Sequence, residues 1–569
     1  MALKLEVGLD EIESQQLQTK DIITFPFSKM SADDDINAAI VFAATSPVSS
    51  DNGQTLAELY SLVAAAGIAD SLDALTVLSA LLPNKNSAAR DLVAIMGECC
   101  SAKEVVMATQ EQIEKVVEHA GDEEEGEDEG DHSEATSVEK SSWAERLVEL
   151  VDLYRAAIPR LKLRKRSASE TLQPLLSDLQ PAMDAVSYQA NSLQSRDLMT
   201  SVERMVNRVL KWVKDLPAIE PEEVAKCQFA LKPVLDHALV LFKYSLQCDS
   251  AQKALELCFP RLKMGRQAAS SSEGQGSSVL EMYKSTYGDM GFTSSQHVSS
   301  PSLVSVILLV HAWLAPSTPT LTSIPSSFLP SLLAMLQSNS NLHDDALAFL
   351  LLILHQNQSA KKTELSPDIT NAFIPLLVAL SSAHPTPSVR HQAFRVMSLL
   401  LARSLAQLRL QILADLVANC EYPQMRVAAV GLVKDAVLDA LNSKSTGDTN
   451  PFGTPMFMRV FGPLLFRPSP SDLFDQRVKL DLEEFLESPE PKRITEVLSL
   501  YYVILLRDQA NTTGIRDKDM LGTVNKNLMD PLGSWLGSVM DKEERDHAIM
   551  PLASLQMGLK RVQDAQANF

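Results

Sequence analysis

Glycine is scarce, at 21 of 569 residues, about half of its usual ~7% share. Doubly wound sheets and β-sandwiches depend on glycine-rich turns, so the shortage argues against both and for helices. Aromatics are only 5%. With Leu, Ala and Ser dominant, the core must be built from aliphatic contacts between helices. The six cysteines stand at 99, 100, 227, 248, 258 and 420 without a C-x-x-C pair, which excludes a disulfide framework and suits a reducing compartment. Basic residues are in deficit, 51 against 72 acids, for a net charge of −21. Such a surface repels phosphate backbones and anionic lipid, so neither nucleic acid nor membrane is an expected partner. Proteins are. The longest apolar run, Leu303–Leu314, is broken by His311 and falls short of the ~20 residues of a membrane span. The opening MALKLEVGLDEIESQQ carries acids early and no long apolar core, so no secretory signal is expected. A cytoplasmic protein, possible also in the nucleus, is the expectation.

Hydrophobic residues make up 45%, ample for a core. The length admits about three to five ordinary domains or one long repeat array. Composition divides the chain into a helical block at 1–120, an acidic linker at 121–142, a helical block at 143–263, a Ser/Gly-rich linker at 264–302 and a helical block at 303–569. Gly121–Glu134 holds nine acids and no base; its self-repulsion predicts solvated chain, as AASSSEGQGSS does at 268–278. Both linkers are expected to be open to protease. The acidic run reads as a solubilising loop or as a docking site for a basic partner. The basic stretch Arg160–Arg166 reads as a nuclear signal or as a helix end that suits the dipole.

Within the blocks the apolar period is that of a helix. Leu147, Leu150, Val151, Tyr154 and Ile158 form one stripe; Val202, Met205, Val206, Val209, Leu210 and Val213 form another. No stretch alternates like a strand. The last block repeats itself. Pro387, Arg390 and Ala393 recur as Pro423, Arg426 and Ala429, offset by 36, with Val389 answering to Met425. Proline suits a first helical turn, and the small alanine admits a neighbouring helix. A second pattern, F-x-P-x-L, begins at Phe328, Phe373 and Phe461, spaced by 45 and 88. Two helix types alternating at such a period predict an all-α fold, a HEAT/armadillo-like helical-repeat α-solenoid.

Catalytic signatures are missing. The chain has no P-loop, HExxH, GxSxG, EF-hand or kinase motif, and Gly274-Gln275-Gly276 lies in the Ser-rich stretch. Helical His237, His311, His355 and His391 lack a neighbour at ligand spacing. Cys99-Cys100 reads as small apolar residues at a helix end in preference to a redox pair. No catalytic residue, cofactor or metal is assigned, and no small-molecule substrate is expected.

The most distinctive segment is LSLYYVILLRDQANTTGIRDKDMLGTVNKNLMDPLGSWL, residues 498–536. An apolar helix ends in Arg507-Asp508, a polar turn follows at 511–515, and a helix containing Asn527 to Leu532 comes next. Asn511, Thr513, Gly514, Ile515, Asn527, Leu528, Pro531 and Leu532 fit the pattern N-x-T-G-[LI] and N-[FL]-[LM]-x-P-L, by which the segment resembles the C-terminal region of the glomulin and YAP-binding protein family; the likeness is to a fungal member. The resemblance implies a HEAT-like adaptor and not an enzyme. Glomulin-like members clamp the RING subunit of cullin–RING ubiquitin ligases and block the ubiquitin-conjugating enzyme. YAP-binding members bind a bZIP stress transcription factor and promote its activation in the oxidative stress response, and a paralogue is linked to kinetochores. The candidate partner-binding residues are Arg507, Asp508, Asn511, Thr513, Gly514, Arg516, Lys518 and Asn527. The turn also reads as plain backbone structure, Gly514 supplying positive φ and Asn511 and Thr513 bonding locally. A generic HEAT-repeat scaffold is the further alternative.

Overall fold

The structure is a computed structural model. It describes residues 32–46, 55–120, 141–163, 166–217, 219–262, 271–315, 321, 323–337, 342–356, 364–442, 450–474, 482–540 and 550–567. Among these every regular element is a helix and there is no strand. The all-α helical-repeat class read from periodicity is the class observed. No helix among the described residues is long and apolar enough to cross a membrane. The chain divides into two compact units, residues 1–247 with 270–292 and residues 248–269 with 293–569.

In the N-terminal unit the two stripes found in the sequence do form the core. Leu147, Leu150, Val151, Tyr154 and Ile158 are fully buried, as are Val202, Met205, Val206, Val209 and Val213. The helix Ser192–Asp215 carries the second stripe. It packs against Trp143–Ala157, Pro221–Phe242 and Ser271–Asp289. Its start is fixed by Asn191, whose side-chain oxygen accepts from the Leu193 and Gln194 amides while Gln194 bonds back to the Asn191 amide, a capping box.

Helix Ser271–Asp289 corrects the linker expected at 264–302. Composition there is polar, but Val279, Leu280, Tyr283, Tyr287 and Met290 fall on one buried stripe. The two tyrosines supply much of its apolar area, and each hydroxyl finds a partner. Tyr283 donates to the Met199 carbonyl at 3.1 Å. Tyr287 donates to Asp236, and Thr286 donates to the buried Glu203. Gly276 has a packing role, because a Cβ there would stand 2.0 Å from the Leu246 carbonyl oxygen. A second helix, Ser294–Ser299, follows in the other unit. The protease-sensitive stretch expected at 268–295 is therefore helical from 271 to 289. Gly276→Ala is expected to lower the stability of the N-terminal unit by about 1–3 kcal/mol through overpacking against backbone. Amide hydrogen exchange across 276–289 checks this; unchanged protection would show that the helix shifts without cost. The acidic run expected to be open, 121–137, lies outside the described residues.

In the C-terminal unit helices alternate in two layers. The pairs are Leu329–Gln337 with His343–Gln356, Pro367–Ala383 with Pro387–Arg403, Ala406–Ala418 with Pro423–Asn442, and the layer continues through Glu490–Arg507 to Met550–Gln566. Pro387 and Pro423 open their helices, and Ala393 and Ala429 are both fully buried. Phe328, Phe373 and Phe461 are fully buried too. Pro375 and Pro463 stand inside their helices, each removing one backbone donor. Helix His343–Gln356 is buried on every side from Asp345 to Leu354, as expected of a segment apolar all round.

The same helix explains why Ser250–Cys258 joins the C-terminal unit and not the block drawn at 143–263. Gln247 and Asp249 adopt positive φ of 46° and 45°, which turns the chain. Asp344 then accepts from the Ser250 amide at 2.6 Å and the Ala251 amide at 3.0 Å, and the Ser250 hydroxyl donates to Asp345 at 2.9 Å. A carboxylate on two unpaired N-terminal amides is both a cap and a favourable charge for the helix dipole.

Candidate functional site

The segment 507–527 is built around Asp508. Helix Glu490–Arg507 ends there because Asp508 leaves helical geometry at φ −86°, ψ 66°. Its carboxylate faces inward. Oδ1 accepts from the amide and hydroxyl of Thr512 at 2.8 and 3.0 Å; Oδ2 accepts from the amide and hydroxyl of Thr513 at 2.8 and 2.6 Å. Burial raises the carboxyl pKa, but these four donors outweigh it and hold the group below its usual value. Asp508 and Thr513 are 2% and 0% exposed.

The rest of the turn is equally committed to itself. Asn511 has φ +54° and Gly514 φ +74°. The Asn511 amide group donates to Asp517 at 2.7 Å and its oxygen accepts from the Arg516 amide at 2.9 Å. Arg516 folds back and donates through Nε to the Leu505 carbonyl at 3.1 Å, satisfying a helix C-terminal acceptor with a cation. Of the candidate partner-binding residues, Asp508 is thus buried on Thr512 and Thr513, whereas Asn511 and Arg516 are half-buried and bonded within the turn and to the helix end. Arg507 and Lys518 are exposed. Asn527 is half-buried in a π-helical turn, Asn525–Met529, where the Asp530 amide bonds to the Asn525 carbonyl. Pro531 follows directly. It lacks the donor that would close an α-turn onto Asn527, and the wider turn accommodates that loss.

At the other end of Glu490–Arg507 lies a cleft of about 710 Å³. Its walls come from the start of Pro423–Asn442, the end of Pro455–Leu465 and the loop 466–473. Pro423 and Pro463, members of the two repeat patterns, both line it. The base is a buried ion pair. Arg493 donates to Glu490 from Nε and Nη2, each at 2.6 Å, and to the Arg467 carbonyl at 2.6 Å. Glu490 also accepts from the Ser469 amide at 2.9 Å. This pair holds the loop through cis Ser469-Pro470. Phe474 is pinned against Phe485 and Trp535 at 5.9 and 5.3 Å. Arg426 and Arg467 line the cleft, Arg467 exposed and Arg426 half-buried. The matching Arg390 instead turns onto the His384 and Pro385 carbonyls at 2.7 and 2.9 Å, so one sequence pattern serves two ends. The run RPSPSD at 467–472, two prolines in a polar stretch between helices, is the signal that could have marked this cleft.

No group of three or more metal-ligating side chains comes together among the described residues. His237 bonds Asp184 at 2.9 Å and His355 lies edge-on to Phe259 at 5.0 Å. Cys99 is exposed and Cys100 buried. Burial pushes the Cys100 thiol up to about 11, and its sulfur donates to the Ala69 carbonyl at 3.0 Å. A thiol so held stays protonated and packs as a small apolar group.

No curated protein matches the chain. Residues 319–563 match the model of a family described as an uncharacterised protein family, YAP/Alf4/glomulin. That span takes in the helix pairs of the C-terminal unit from Leu329 onward, the cleft, and the turn at 508–517. Over this C-terminal segment the chain is similar to the YAP/Alf4/glomulin family.

Proposed function

We propose that the chain is a non-enzymatic adaptor of the cytoplasm, with access to the nucleus, whose C-terminal repeats hold the RING subunit of a cullin–RING ubiquitin ligase. Suppression of ubiquitin transfer follows from occlusion, the conjugating enzyme being denied the surface that the adaptor covers. The observation that carries this reading is the placing of two solvent-facing features at the two ends of one helix within the family-matched segment. The cleft with Arg426 and Arg467 lies at the start of Glu490–Arg507, and Arg507 is its last residue with Lys518 beyond it. The helix has 18 residues and spans about 27 Å, a length suited to a protein interface of ordinary size. Exposed cations there set orientation and partner choice, and the apolar cleft walls supply affinity.

The test is binding of the full chain to a purified RING–cullin complex, with ubiquitin transfer measured in parallel. Binding with suppressed transfer is the expected result. Arg426→Glu with Arg467→Glu is expected to weaken it by about 10–100-fold, as for central interface residues, with helicity unchanged. Absence of a complex overturns the reading. Capture of a bZIP stress transcription factor by the same chain would select the YAP-binding alternative, the activation of a stress response.

A further inference from the structure

The N-terminal unit, outside the family-matched segment, contains a cleft of about 470 Å³ between Ser87–Cys99, Trp143–Ala157 and the first turn of Ser192–Asp215. Its floor is apolar, formed by Val93, Gly97, Val148, Leu153 and Ala156. Helices approach closely there: a Cβ on Gly97 would meet Leu153 at 3.1 Å and Ala156 at 3.2 Å. Around this floor stand five carboxylates, Glu98, Glu145, Glu149, Asp152 and Asp197. Two guanidinium groups of the cleft lining pair with them. Arg90 lies on Glu149 at 3.2 Å and near Glu145 at 3.9 Å; Arg155 lies on Asp152 at 3.0 Å. Glu98 makes no hydrogen bond or ion pair with any described residue, and Asp197 has only the longer-range attraction of Arg196 and Arg204, which burial outweighs. Leu193, at the mouth, is 58% exposed.

We propose that this cleft binds a basic segment of a partner protein, seating a lysine or arginine of that segment among the carboxylates with an apolar neighbour against Leu193. Three features favour such an occupant. The carboxylates outnumber the cations within a concave, low-dielectric wall, which concentrates their field. The apolar floor matches the methylene stem of Lys or Arg, whose charged head then reaches the rim. The Arg90 contact with Glu149 shows that the site accepts a guanidinium in its present geometry. Glu149 is also short of compensation: burial pushes its carboxyl up to about 7 despite Arg90, so an added cation restores a charge that the cleft now penalises. Anionic lipid and nucleic acid carry the wrong sign.

The experiment titrates the full chain into a fluorescent twelve-residue peptide of alternating Lys and Leu, followed by anisotropy at low salt, with a Gln-for-Lys peptide as control. The Lys peptide is expected to bind and the control to bind at least tenfold more weakly. Glu98→Gln with Asp197→Asn removes two charges of a −21 chain, so diffuse attraction is nearly unchanged while a seat in this cleft loses at least tenfold in affinity. Leu193→Ser, an exposed position, is expected to weaken binding several-fold. Equal binding by the double variant, or equal binding of the two peptides, overturns the proposal.

Discussion

Replacing Arg493 with Met is expected to destabilise the C-terminal unit by about 3–5 kcal/mol, the cost of stranding one partner of a buried ion pair. Met preserves most of the packing volume, so the loss isolates the charge. Arg493 and Glu490 are 8% and 6% exposed, and Glu490 would keep the Ser469 amide as its donor from the loop. The Arg467 carbonyl would lose its guanidinium partner at the same time. Replacing both residues together, Glu490→Gln with Arg493→Met, is expected to cost less than Arg493→Met alone, because no buried charge remains. Amide hydrogen exchange of 464–474 reads the result locally, without assuming that the two units unfold as one. Unchanged protection of that loop in Arg493→Met would show that the aromatic cluster of Phe474, Phe485 and Trp535 holds it unaided.

Asp508→Asn is expected to cost about 2–4 kcal/mol and to release the turn 508–517. The carboxylate accepts four hydrogen bonds through two oxygens. Asparagine keeps one of those oxygens and aims an amide donor at the other pair of donors, leaving buried N–H and O–H groups unmatched. The native carboxyl is held below its unfolded value of about 3.9 by the Thr513 and Thr512 donors. Its contribution is therefore fully present above that value and is lost as pH falls through the lower folded pKa. Exchange protection of 511–516 in the natural chain should persist down to about pH 4 and fall below it. In Asp508→Asn the loss should already be present at neutral pH, without that acid step. An acid step of equal size in the variant would assign it to another carboxylate.

Helicity, the two core stripes and the repeat register were all legible in the sequence, because each is a local property. A 3.6-residue period at 147–158 or 202–213 needs only the spacing of apolar side chains, and Pro387 and Pro423 mark helix starts by what proline cannot donate. The likeness to the YAP/Alf4/glomulin family was legible too, through the 498–536 segment. Tertiary structure decided what depends on partners far along the chain. Ser250 is claimed by Asp344 at a separation of 94 residues, so its helix joins the C-terminal unit. Ser271–Asp289 is helical because Tyr283, Thr286 and Tyr287 find Met199, Glu203 and Asp236, none of them visible in a Ser/Gly-rich composition. The direction of polar side chains was likewise beyond the sequence. Asp508 and Arg507 are adjacent and both charged, yet one is buried under four donors and the other faces solvent, because only the folded turn brings the amides and hydroxyls of Thr512 and Thr513 onto the first.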